Sequence, residues 1–308
     1  MQPMGEATKS RSIKRALGLS AGYVVCLLLA TILLVLPAAP FFFRSGTPTL
    51  ADDVISAIAT SVGALFVTHL FLRMDGASLR DAGLAVKPAD GIDLLLGSGL
   101  GLLMFLVVAM VPILVGRAQV HIGRNLFSVP TVILWIAFFV VQSMGEEVIC
   151  RGYLLRIWTR SINLPAGLII SSTMFAAGHL ANAGFNALAF LNTVLSGILL
   201  GVVYARSGSL WLVAGIHVGW NTAQPLLGVP LSGRAIRITP LEIHYNGGIV
   251  WSGGQYGLEA SLPAAAVLLL LCMVAAYAKW PPRREDRGIW HPLPGTISGA
   301  VEIAKPVN

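Results

Sequence analysis

Runs of roughly twenty apolar residues, the length that crosses a bilayer core as a helix, recur along this chain between short polar connections. They fall near 21–43, 54–72, 93–115, 130–160, 166–182, 187–205, 209–228 and 262–280. The pattern predicts an all-α fold: a polytopic membrane helix bundle of about eight transmembrane helices. Residues 1–19 form a basic lead, 20–280 the transmembrane domain, and 281–308 a proline-punctuated tail expected to be a mobile extension. The first run is longer than a signal-peptide core, so it reads as a signal anchor rather than a cleaved leader, although Pro37, Ala38 and Ala39 form a small-residue patch. The chain carries no convincing internal repeat.

Composition removes the soluble alternative. Of 308 residues, 56% are hydrophobic and 11% charged, and the mean hydropathy is +0.77, too apolar for a soluble domain of this length. A net charge of +7 would suit nucleic acid in a soluble protein, but here basic residues are topology signals first. With the N-terminus inside, fourteen Lys and Arg flank the spans on the cytoplasmic side, against Arg44, Arg117, Arg124, Arg234 and Arg237 outside. Both termini are therefore expected in the cytoplasm, with the bilayer as a partner and nucleic acid not. Cys26, Cys150 and Cys272 lack metal-type or disulfide spacing. The outer segment 229–261, Gly-rich with Tyr245, Trp251 and Tyr256, suits an interfacial cap.

Against this background the stretch from Gln142 to Arg151 stands out, because two adjacent carboxylates, Glu146 and Glu147, fall inside an apolar span. Buried carboxylates cost several kcal/mol unless compensated. Glu147 and Arg151 are four apart, share a helix face and can pair, while Glu146 points about 100° away and is left free. The bland alternative is an interhelical salt bridge. Two more polar positions occur at helical spacing, His179 four after Phe175 and Asn221 four after His217. Counting from the cytoplasmic turns at 1.5 Å per residue puts Glu146, His179 and Asn221 each about 20 Å deep and His217 about 14 Å, with Asn192 near the same layer. Helix-helix hydrogen bonding would not require such a coincidence of depth. His69, His121, His244 and His291 have no comparable company and read as loop or interfacial residues. The glycines around 97–101 and 197–201 suit close helix packing rather than phosphate binding.

Glu146-Glu147-x-x-x-Arg151, Phe175-x-x-x-His179 and His217-x-x-x-Asn221, in that order on successive spans, resemble the three motifs of the CPBP intramembrane proteases. That family includes the type II CAAX prenyl endopeptidases (Ras-converting enzyme) and bacterial Abi and bacteriocin-immunity homologues. The resemblance covers about residues 130–225 and, in its surrounding wording, is similar to bacterial members, which implies a bacterial inner membrane. It implies an intramembrane endopeptidase in which Glu146 and His179 activate water, His217 and Asn221 stabilise the oxyanion, and Glu147 and Arg151 hold the geometry. Partners would be a peptide or membrane-protein substrate, C-terminal peptides included. No cofactor is favoured. Zinc on Glu146, His179 and His217 is the alternative, since three such ligands with an open position suffice for a metalloprotease. A non-catalytic immunity or binding protein, or a proton-coupled transporter, would use the same buried polar groups differently.

Overall fold

In a computed structural model, residues 6–37, 50–123 and 127–278 are described. The main helices are α1 (Glu6–Val35), α2 (Leu50–Met74), α3 (Pro88–Leu114), α4 (Val129–Glu147), α5 (Leu155–Ser161), α6 (Leu164–Ala177), α7 (Ala187–Ser207), α8 (Leu210–Leu226) and α10 (Leu262–Tyr277), with a single turn, α9, at Ile249–Ser252. A π-helical segment, Val148–Leu154, joins α4 to α5 without a break, so these form one rod. Each predicted span meets one rod, and the fold is the expected membrane helix bundle of a multi-pass integral protein. The starting and ending residues differ, and the tail 281–308, the first five residues and the end of the first predicted run lie outside the described residues.

Not every predicted span crosses on its own. Five rods, α1, α2, α3, α4–α5 and α7, are long and apolar enough to cross a membrane. The segment 166–182 was expected to be one such span, but α6 has only 14 residues, about 21 Å of a core about 30 Å thick. Apolarity continues past its end in the sequence, while the chain turns at Gly178, where the helical hydrogen bonding stops.

Short connections follow from local signals. Asn163 and Ser209 cap α6 and α8 by accepting from Ala166 N–H and Leu212 N–H, and Gly208 ends α7 in the left-handed region at φ 69°. These turns gather at one end of the bundle. There Arg156 donates to Asp81 O, Tyr204 to Ala82 O, Trp211 to Ala85 O, and Arg206 to Ala276 O and Ala278 O. At the opposite end lies a cap that includes the segment 229–261, and the strands in it were not expected. Its two strands, β1 (Ala118–Ile122) and β2 (Leu241–Tyr245), pair antiparallel with Val120 opposite Ile243. Arg234 is ion-paired with Asp53, tying the cap to the start of α2.

The tightest packing is between α3 and α8, where small residues let the backbones touch. A Cβ on Gly101 would lie 1.9 Å from Ile216 O, and one on Gly219 2.0 Å from Ser98 O. Gly97 and Gly215 meet the same way one turn on. Because α8 carries His217, Gly101→Ala is expected to cost about 1–3 kcal/mol through overpacking and to lower activity with it. Thermal unfolding in detergent checks this against Gly99→Ala, whose new methyl meets nothing within 4 Å.

Candidate active site

The chemistry begins where α4 turns into the π-helical segment. Glu147, the last residue of α4, is fully buried, and Arg151 within the π segment is 1% exposed. Arg151 Nη1 lies 2.9 Å from Glu147, its Nη2 donates to Gly197 O at 3.0 Å, and its guanidinium carbon sits 5.0 Å from the centre of the Phe175 ring. One side chain thus links the π segment to α6 and α7. The predicted ion pair is present. Such widened turns recur at functional sites because they redirect side chains that a regular helix would spread around its circumference.

The expectation that Glu146 stands free is corrected. Gln142, one turn earlier on the same face, donates to Glu146 Oε1 at 2.6 Å, and Asn221 in turn donates to Gln142 Oε1 at 3.3 Å. Glu146 Oε2 is buried without a hydrogen-bond partner and lies 3.7 Å from His217 Nε2. Gln142 opens the polar stretch that stands out in the sequence, and its i−4 spacing to Glu146 was the signal for this contact, but no role was expected of it. His217 adds a contact from another helix: its Nδ1 is 2.9 Å from Glu147 Oε1, so Glu147 serves both Arg151 and His217. Because a carboxylate only accepts, Nδ1 carries the proton and Nε2 is the atom turned toward Glu146.

His179 was expected on a helix face with Phe175. It lies two residues beyond the end of α6, in a turn where its N–H bonds Ala176 O. The turn keeps helical spacing long enough for the rings of Phe175 and His179 to meet at 4.9 Å, and Nδ1 is 2.9 Å from Phe175 O. A carbonyl can only accept, so this bond places the proton on Nδ1 and leaves Nε2 as a base in the neutral ring. Asn221 also donates to Ser143 Oγ at 3.4 Å, and both of its bonds are long.

Glu146, His179, His217 and Asn221 line one cavity of about 610 Å³. Asn192, expected in this layer, also reaches the cavity, but its amide is committed to Glu259 O and Ser261 O at 2.7 and 2.9 Å. It fastens the cap to α7. Glu259 itself escaped the sequence reading, since a single acid in a loop carries no spacing signal. Its carboxylate accepts from Trp220 Nε1 at 2.8 Å, Gln224 Nε2 at 3.0 Å and both Ser232 N–H and Oγ. This clamps the cap onto α8 beside Asn221. His121 and His244, read as loop residues, face each other across the cap strands at 4.5 Å. Among the described residues, no three His, Cys, Asp or Glu side chains are gathered so that they could hold a metal ion.

Residues 128–223, which span α4 to α8, match the family model described as Type II CAAX prenyl endopeptidase Rce1-like. The match takes in Glu146, Glu147, Arg151, His179, His217 and Asn221 and agrees with the resemblance carried by their three motifs. No curated protein and no solved structure matches the chain.

Proposed function

We propose that this Rce1-like segment hydrolyses a peptide bond within the membrane. Glu146, assisted by His179 Nε2, takes a proton from a water that attacks the scissile carbonyl carbon. His217 Nε2–H and Asn221 Nδ2–H receive the negative charge that forms on the carbonyl oxygen, and the proton held by Glu146 passes to the departing amine. Glu147 and Arg151 touch no reacting atom; they position His217. Since Nδ1 of His217 already donates to Glu147, its oxyanion role requires the doubly protonated ring.

The observation that carries this reading is the convergence of four groups from three separate elements on one cavity, with a buried Glu146 oxygen that no protein donor occupies. The family description contributes endopeptidase chemistry; prenyl specificity is not taken from it, because substrate choice does not travel with a fold. Comparing peptide termini in membranes with the wild-type protein, Glu146→Ala or no copy tests the proposal without a guess at the substrate. A terminus found only with wild type supports it. Identical termini, with a cellular phenotype that Glu146→Ala retains, would replace it by a binding role.

The zinc reading asks Glu146, His179 and His217 to converge on one point, and the side-chain arrangement lends that no support. The expected result is that hydrolysis survives a strong chelator. Activity lost on chelation and restored by added zinc would overturn the metal-free mechanism.

A further inference from the structure

We infer that the cavity receives its polypeptide from the cap side of the membrane, the side opposite Arg80, Arg156 and Arg206, as a stretch of chain adjoining a membrane-embedded segment. Calling the entrant a substrate rests on the proposed protease function; the direction of entry does not.

The cavity is closed toward the basic end. Ile149, Cys150, Leu199, Leu200 and Ile216 form its floor, each displaced from the site toward that end along its own helix. Beneath them Arg151, Tyr153, Leu154, Val203, Tyr204 and Leu210 are buried at 5% exposure or less. Among the described residues, nothing from the turns at 75–87, 156–165 or 204–211 lines the cavity. Close-packed core therefore separates it from the face where those turns lie.

Toward the other end the walls change character. Leu231, Ser232, Arg234, Ile236, Tyr256 and Glu259 from the cap form the upper lining. The Arg234 side chain is 44% exposed. Here the shortness of α6 acquires a use: the helix stops after 14 residues, and the chain from Gly178 to Gly184 crosses beneath the cap instead, mostly exposed. Leu28, on the lipid-facing side of α1, also lines the cavity and is 57% exposed, so the apolar wall reaches the bilayer at the same level. An entering chain thus meets apolar surface on the lipid side and hydrogen-bonding groups on the cap side, which suits a polypeptide leaving the membrane there. The distribution of Lys and Arg makes that side extracytoplasmic.

Thiol accessibility tests this in the full-length protein. With Cys26, Cys150 and Cys272 replaced by alanine, single cysteines are introduced by Asn182→Cys, Thr193→Cys or Ser196→Cys in the cavity, with Arg237→Cys and Arg80→Cys marking the cap and basic faces. A membrane-impermeant maleimide is applied to right-side-out and inverted vesicles. The cavity cysteines are expected to label many times faster in the preparation that labels Arg237→Cys than in the one that labels Arg80→Cys. Faster labelling with the Arg80→Cys preparation, or labelling in neither by all three correctly folded reporters, would overturn the inference. Repeating the experiment with Glu146→Gln separates the two claims, because access does not require catalysis and proteolysis can fail while the labelling pattern stands.

Discussion

Replacing Glu146 with glutamine is expected to lower the rate of peptide hydrolysis by about 10²–10⁴-fold, the range typical for removal of a general base, while leaving the protein folded. The substitution is nearly isosteric, and an amide oxygen at the same place still accepts from Gln142, which donates to Glu146 Oε1 at 2.6 Å. What disappears is the proton-accepting oxygen facing His217 and the cavity. The effect should therefore fall on kcat, with thermal unfolding in detergent unchanged. His179→Ala should move in the same direction, because the base that Phe175 O orients is lost. A Glu146→Gln protein that keeps more than about a tenth of the wild-type rate would remove Glu146 from the role of principal base.

Arg151→Ala should behave in the opposite manner, as a folding defect before it is a catalytic one. The guanidinium is 1% exposed, and its removal leaves the fully buried Glu147 carboxylate without its cation and takes away the side-chain bond to Gly197 O. Breaking one side of such a pair costs about 3–5 kcal/mol. A large drop in unfolding temperature, or loss of monodisperse protein in detergent, is the expected measurement. Arg151→Lys should recover only part of it, since an ammonium can approach Glu147 but cannot also present a planar fork to Gly197 O and the Phe175 ring. An unchanged unfolding temperature for Arg151→Ala would mean that the pair does not hold α4, α6 and α7 together.

The two variants separate roles that the sequence places side by side. Glu146 and Glu147 are adjacent, and a helical projection already turns them apart. Projection alone could assign Arg151 to Glu147, because both lie on one strand of spacing. It could not assign His217, which reaches Glu147 from another helix 70 residues later. The same limit explains Gln142 and Glu259: the first was visible at i−4, while the second acquires its partners only when the cap folds onto α8.

The linear pattern alone determined the membrane class, the eight helical rods and the layer in which the acid, the two imidazoles and the amide would meet, because hydropathy and the rise per residue act locally along each helix. It also carried the three motifs, and with them the resemblance with which the match over residues 128–223 agrees. Tertiary structure decided the length of α6, the strand-built cap and the partners of Glu147, Gln142 and Glu259. Those depend on which backbones approach and which buried donors and acceptors remain to be satisfied once they do. The residues after Ala177 read as more helix, but the chain leaves the helix at Gly178, and the turn that follows brings His179 to the cavity.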